Sequence, residues 1–453
     1  MTLVECFLLL QKLLPSEIQI LFGLLAVALS ASATDVRPGC PDAAYERAMA
    51  ARYAAMTPEE MDEEERSVAR RIHDLELVPP KLVVNPPETA YAVRTVAEGL
   101  LGFLGYAWRD RIDKQCGKTW NFAMNNGVAA TRGGRLWRTW TGGEDGPLGI
   151  TLGAWSDDGG TTWTAPRLMV DPHFGSDGWM KGVPLMRYIL FSSLWTDPDG
   201  ILHLFVTQLT AMQNGRGTTW EFVCENPDAA SPVWSKARYV WHCFTHNPIT
   251  VLKNGMWVMP IAPEDNPNDL WPALKACYGG GVLLSSDKGH TWSPGGFVRP
   301  KGTNHWCEQT VVEKRDGTLW AVLRTGNGPQ EAFSTDGGRS WSELRPCAWF
   351  RNPVARHVFQ KLSDGTLLLV KNGDDRLHFD NNYGLSGNGR NKLKAYFSSD
   401  DGETWSDPVE LDLRDGVAYP AACELPDGSV YVSWEYDRRG RAEICGKIIR
   451  PLH

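Results

Sequence analysis

Six times along the chain a tight polar turn ending in glycine gives way to a short run of mostly alternating apolar residues. These segments are GGRLWRTW (133–140), DGILHLFV (199–206), NGMWVMPI (254–261), DGTLWAVL (316–323), DGTLLLVK (364–371) and DGSVYVSW (427–434). Asp-Gly or Asn-Gly ahead of alternating apolar positions is a strong local signal for a β-hairpin. The second glycines lie 48 to 66 residues apart. That length holds about four short strands with their turns.

A second repeat interleaves with the first. SDDGGTTW (156–163), SSDKGHTW (285–292), STDGGRSW (334–341) and SSDDGETW (398–405) share one pattern, and SPVWS places Trp234 in the remaining gap. Serine and aspartate side chains bond the backbone of their own turn, glycine takes up positive φ, and tryptophan buries a large surface. The octets are therefore expected to staple turns and to take no catalytic part. Six hairpins with five interleaved tryptophan turns predict six four-stranded units. A four-stranded sheet cannot bury both faces alone, and radial stacking of six solves this. The predicted fold class is all-β, a six-bladed β-propeller over residues 111–453. Closure would pair a strand from about 115–130 with the C-terminal unit.

The pattern differs ahead of the propeller. YERAMAARYAAMTPEEMDEEERSVARRIHDLEL (45–77) is rich in helix formers, and Thr57-Pro58-Glu59-Glu60 has the form of a capping box with proline at the first helical position. Two helices are expected, then PPKLVVNPPE (79–88) as an extended linker. TAYAVRTVAEGLLGFLGYAW (89–108) fits helix or strand. Residues 34–110 are thus expected as a helical extension and linker. LFGLLAVALSASA (21–33) is apolar and ends in an A-x-A site before Thr34. It predicts a signal peptide over 1–33, cleaved after Ala33, and a secreted or periplasmic protein. Glu5, Lys12 and Glu17 interrupt the preceding region, so a membrane anchor or a misassigned start is the alternative. No later apolar stretch is long enough to span a bilayer, and no membrane partner is expected beyond the signal segment.

Composition sharpens this picture. Forty-five glycines and 29 prolines in 453 residues fit many turns and many short strands. The net charge of −8 comes with no long basic run, which argues against nucleic acid as a partner. A local arginine cluster could still bind an anionic small ligand. The ten cysteines show neither C-x-x-C nor zinc spacing; buried free thiols are expected, with one or two disulfides left open. No metal site or cofactor is legible, and nothing points to an oligomeric state.

The Ser-x-Asp-x-Gly-x-Thr-Trp repeats on six blades resemble the Asp boxes, or BNR repeats, of the sialidase (neuraminidase) superfamily, over about residues 115–453. In that family three arginines grip the substrate carboxylate, a tyrosine attacks the anomeric carbon, a glutamate activates it, and an acidic residue protonates the leaving group. EQTVVEKRDGTLWAVLRT (308–325) is similar to the segment carrying that glutamate and one arginine, which implies Glu308 and Arg324. GRNKLKAYFSSDDGETW (389–405) implies Arg390. VAYPAACELPDGSVYVSWE (417–435) implies Tyr419 as nucleophile and Glu435 as the carboxylate that orients the first arginine. Met124-Asn125-Asn126 occupies the slot of that first arginine, and none is present there. TGGEDGPLGITLGAWSDDGG (141–160) offers Glu144 or Asp145 as the acid, Glu144 falling at the better spacing from Ser156. Arg356, Arg376 and Arg438 are further basic candidates near the same mouth, Arg356 being grouped with the substrate-binding set. A solvated surface position is the plainer expectation for each of the three.

These residue types suit one chemistry. A carboxylate on the anomeric carbon repels an anionic nucleophile; a phenol avoids this until a glutamate takes its proton. With a pKa near ~10, the tyrosine needs that base and nearby positive charge. Arginines can supply the charge and hold the carboxylate bidentately, and the acid needs a raised pKa. The expected function is an exported, retaining, sialidase-like glycoside hydrolase acting on a terminal acidic sugar or glycan. That sugar is sialic acid or a related acidic sugar, for example from algal or plant polysaccharide. A non-catalytic carbohydrate-binding propeller and a polysaccharide lyase on a similar scaffold are the alternatives.

Overall fold

The computed structural model describes residues 57, 59–60, 76–88, 122–143, 149–172, 178–180, 183–185, 187–210, 217–262, 277, 279–301, 308–373 and 389–451. The chain divides into two compact units. One comprises Met1–Val68, Thr95–Gly117 and Trp179–Val183; the other comprises Ala69–Arg94, Lys118–Gly178 and Pro184–His453. In the first unit the Thr57 N–H donates to Glu60 Oε2 (2.8 Å) and the Glu60 N–H to Thr57 Oγ1 (3.2 Å). This is the reciprocal capping box expected from the sequence. The signal segment 1–33 and the stretch 89–108 lie outside the described residues.

The second unit holds the six blades. In each, antiparallel strands follow one another outward from the first strand. Blade one runs Met124–Ala130, Leu136–Gly142, Ile150–Ser156 and Leu168–Asp171; blade two runs Arg187–Thr196, Leu202–Thr210, Gly217–Cys224 and Arg238–Trp241. Blade three is Thr250–Val251, Trp257–Ile261, Gly280–Ser285 and Ser293–Val298, and blade four is Thr310–Glu313, Leu319–Leu323, Gln330–Ser334 and Arg345–Pro346. Blade five is Val358–Lys361, Leu367–Lys371, Leu393–Ser398 and Val409–Asp412. Blade six has three strands among the described residues, Val417–Glu424, Val430–Tyr436 and Glu443–Ile449.

Each glycine hairpin read from the sequence joins the first two strands of its blade. All six make the same turn. In blade four, for example, the Gly317 N–H reaches the Lys314 carbonyl (3.1 Å) and the Lys314 N–H reaches the Thr318 carbonyl (2.9 Å). A Cβ on Gly317 would meet nothing within 4 Å, yet its φ is +87°. Backbone conformation, not space, requires glycine there.

The octets close the turn between third and fourth strands. At the first, Ser156 Oγ donates to Asp158 Oδ1 (2.7 Å) and accepts from the Gly160 N–H (2.9 Å). Asp158 also accepts from the Thr162 N–H (2.8 Å) and hydroxyl (2.6 Å). The same stitching recurs at Asp287, Asp336 and Asp400. The tryptophans then pack across blades. Trp163 of blade one meets Tyr431 of blade six at 6.0 Å, and Trp405 of blade five stacks on Trp349 at 5.0 Å and 6°.

Residues 124–130 form the first strand of blade one, and MNNGVAA is almost wholly buried, as suits the axis. The earlier part of the stretch from which closure was expected, 115–121, lies outside the described residues. Blades one and six meet through the Ala123 N–H, bonded to the Arg438 carbonyl (3.1 Å). One expectation needs correction. The segment expected as a linker is extended but paired: Lys81–Val84 lies antiparallel to Leu168–Asp171 as a fifth strand on blade one. Six cysteines are described, Cys224, Cys243, Cys277, Cys347, Cys423 and Cys445, and all are free thiols.

Candidate active site

Of the residues singled out from the sequence, those described gather at one end of the propeller, where first strands begin and second strands end. Glu308 precedes the first strand of blade four and Arg324 follows its second. Arg390 precedes the third strand of blade five. Tyr419 lies in the first strand of blade six and Glu435 in its second. The topology alone carries these distant positions to one place.

One guanidinium joins the central pair. Arg324 Nη1 donates to Glu308 Oε2 and to the Tyr419 hydroxyl, the latter at 2.9 Å. The Val354 carbonyl accepts from Arg324 Nη2 and from Arg390 Nη2, both at 3.1 Å, and so fixes the two arginines side by side. Three guanidinium carbons surround the Tyr419 ring: Arg438 at 4.2 Å, Arg390 at 5.5 Å and Arg324 at 5.8 Å from its centroid. Tyr419, Glu308, Arg324, Glu435 and Arg438 are all buried.

Tyr419 has a φ of +53°. The strand carries a bulge here, its register shifting between Ala418, opposite Glu435, and Ala421, opposite Ser433. Pro420 lacks the N–H that a regular ladder would use, which favours an irregularity at this point. A bulky side chain in this conformation costs about 1–3 kcal/mol. Asn125 Nδ2 holds the strained residue by donating to the Tyr419 carbonyl (2.8 Å).

Charge in the site is set by burial and by the arginines. Burial alone would raise the Glu308 carboxyl, but the Arg324 guanidinium and the Tyr419 hydroxyl outweigh it and hold it below the usual range. Burial raises the Tyr419 phenol despite the three arginines. The resting state is therefore a carboxylate beside a protonated phenol. Burial, and next the charge of Arg438, lower the Arg390 guanidinium. Among the described residues, Arg390 meets no carboxylate. Three guanidinium charges against Glu308 and Glu435 leave a net positive site, ready for an anion.

Two corrections concern arginines. Arg356 is not at the surface: it is 1% exposed, and its guanidinium donates to Asn247 Oδ1 (2.9 Å), the His246 carbonyl (2.7 Å) and the Asn126 carbonyl. Those acceptors lie at the starts of blades one and three, so Arg356 reaches across the axis from blade five. Arg438 is also buried. Its Nε donates to Glu435 Oε1 (2.7 Å), with Nη2 2.6 Å from the same oxygen. Glu144, Asp145 and Arg376 lie outside the described residues.

Sequence reasoning passed over two histidines. His246 stacks on Phe191 (4.4 Å) and its Nε2 bonds Asn126 Oδ1 (3.1 Å). Its Nδ1 lies 4.0 Å from Glu308 Oε1. Burial, reinforced by Arg356, keeps it neutral. His357 is fully buried, and its pKa is pushed down to about 4, first by burial. The available signal was THN (245–247) and ARH (355–357), each at the start of a blade. Among the described residues no group of three His, Cys, Asp or Glu side chains is placed to hold a metal ion. No helix among them is long and apolar enough to cross a membrane.

Comparison with known proteins agrees with this architecture. The model of the BNR repeat-like domain matches residues 134–432. The anhydrosialidase of Macrobdella decora is 28% identical over 183 residues, which cover 36% of this chain and 22% of that protein. The chain thus spans about a fifth of the length of this curated relative. Among solved structures, a Hadza microbial sialidase superposes with a TM-score of 0.51 at 20% identity, covering 73% of this chain and 66% of that one. Trypanosoma rangeli sialidase in complex with sialic acid gives 0.52 at 16% identity, covering 73% and 54%. At these identities the likeness is one of fold.

Proposed function

We propose, from the premise that the chain belongs to the BNR repeat-like domain family, that it is a sialidase-like glycoside hydrolase cleaving a terminal acidic sugar with retention of configuration. The observation that carries this reading is the shared nitrogen of Arg324, which sets an ionised carboxylate and a protonated phenol against each other inside a ring of guanidinium groups.

In the first step the Tyr419 oxygen attacks the anomeric carbon as its proton passes to Glu308, and the glycosidic bond breaks. Glu144 or Asp145 gives a proton to the leaving oxygen. In the second step water, deprotonated by that same acidic residue, attacks the anomeric carbon. The tyrosyl bond breaks and Glu308 returns the proton to the phenol oxygen. Two inversions at one carbon give net retention. Because burial keeps the phenol neutral at rest, proton transfer and attack are coupled, and the positive site favours the phenolate character that develops. Arg324 and Arg390 bind the sugar carboxylate. Arg356, assigned to substrate binding from the sequence, fits better as a strut that fixes the axis. The export signal over 1–33, and secretion with it, form part of the same proposal.

Fluorogenic glycosides of sialic acid and of hexuronic acids test the reading. Release of the sugar, with the retained anomer appearing first by proton NMR, supports it. An inverted first product, an unsaturated product absorbing in the ultraviolet, or binding without turnover would contradict it.

A further inference from the structure

Resting on the reading above, we propose that Arg438 supplies the third carboxylate-binding guanidinium of this site, so that blades four, five and six together hold the acid group of the sugar. Four observations carry this assignment.

The start of blade one faces the same end of the propeller but presents no cation. Met124, Asn125 and Asn126 are fully buried, and both asparagine side chains are committed. Asn125 Nδ2 donates to the Tyr419 carbonyl, and Asn126 Nδ2 donates to Thr141 Oγ1 (2.8 Å). A long charged side chain replacing Asn125 would break its contact with blade six, and one replacing Asn126 would break its bonds to Thr141, Ser192 and His246.

Glu435 connects that site to Arg438. Its Oε2 accepts from the Asn125 N–H (3.0 Å), while its Oε1 accepts from Arg438 Nε. One carboxylate thus spans the start of blade one and the arginine of blade six. A carboxylate that only capped the Asn125 N–H would need no arginine on its other oxygen.

Arg438 is held from both ends. Its carbonyl accepts the Ala123 N–H, and its chain neighbour Asp437 (φ +47°) folds the hairpin by accepting from the N–H groups of Gly440 (3.1 Å) and Arg441 (2.9 Å). The guanidinium is therefore pre-organised over the Tyr419 ring, closer to it than Arg390 or Arg324. Pre-organised donors bind an anion with less entropy lost on ordering.

The charge balance gives the same answer. Arg324 is matched by Glu308 and Arg438 by Glu435, while Arg390 has the Val354 carbonyl. A substrate carboxylate set among Arg324, Arg390 and Arg438 neutralises the site, and Glu435 serves to position Arg438.

Calorimetry on the full chain with sialic acid, glucuronic acid and the methyl ester of each separates an anion-binding role from a merely structural one. The unsubstituted protein should prefer one acid over its ester. Arg438→Gln should cut that preference roughly 10- to 100-fold, the value of a charge-assisted hydrogen bond, with ester affinity unchanged. Arg438→Lys keeps the charge without the planar fork and should fall between. If Arg438→Gln fails to fold, the lysine variant carries the test through a several-fold loss of preference. An acid-over-ester ratio that survives in the folded variants, or acid and ester affinities that fall together, would overturn the assignment and leave the hydrolase reading standing. An unsubstituted protein that prefers neither acid over its ester would overturn both.

Discussion

Arg324 and Tyr419 meet through a single hydrogen bond of 2.9 Å from Nη1 to the phenol oxygen, and that same nitrogen also holds Glu308. The arginine therefore does two jobs. It stabilises the Glu308 carboxylate and places the Tyr419 hydroxyl beside it. Because Glu308 comes from the start of one strand and Arg324 from the end of the next, their mutual position is fixed by the register of blade four. That register pairs Thr310 with Val322.

The first prediction concerns pH. In the proposed mechanism Glu308 must be ionised to accept the phenol proton, and Arg324 with the Tyr419 hydroxyl holds its carboxyl below the usual carboxylate range despite burial. Activity should be retained as pH falls through the range where ordinary carboxylates titrate and lost only below it. Glu308→Gln should lower kcat by about 10²–10⁴-fold and abolish this acid limb. A limb near pH 6 in the unsubstituted protein would contradict the assignment of Glu308 as base.

Acid should destabilise the propeller in two stages. His357 titrates at about 4 when folded against an ordinary 6.5. The unfolded chain takes up its proton first, so stability present above pH 6.5 is lost as pH falls toward 4. That difference is worth about 3 kcal/mol. The staple aspartates Asp158, Asp287 and Asp400 titrate at about 2, below the ordinary 3.8. Their contribution is present above 3.8 and is lost as pH falls to about 2. Tm followed against pH should therefore fall in both windows. His357→Phe should flatten the first and Asp400→Ala should shrink the second, which Asp158 and Asp287 still maintain in part; an unchanged profile in either variant would count against the corresponding group.

Arg356 should behave unlike its neighbours. Arg356→Met leaves the His246 and Asn126 carbonyls without their donor in a buried place, which costs about 3 kcal/mol. Thermal unfolding should show a large loss of Tm. The acid-over-ester preference of the folded protein should stay as it was. A selective loss of acid binding with Tm unchanged would place Arg356 on the substrate.

The fold was legible because it is written in local turn chemistry. Gly317 and its counterparts mark each hairpin through φ, and Ser156 with Asp158 marks each staple through side chains that reach only four residues. What depends on distance was not legible. Arg356 lies in a segment with no helical or strand period and looks solvated until blades one and three close over it. Arg438 is three residues from Glu435, but their pairing exists only because the Asp437 turn folds the hairpin back. His246 and His357 carry no pattern that separates a neutral buried ring from an exposed one.

The central claim is that Tyr419 is the nucleophile, and the most direct measurement is turnover and ligand affinity in Tyr419→Phe. The substitution removes one oxygen and leaves the ring between the three arginines. The account predicts that kcat for a fluorogenic acidic glycoside falls by at least about 10³-fold, while the dissociation constant of the free acidic sugar changes by less than about threefold. A variant that keeps its rate, or one that loses affinity as much as rate, would contradict it.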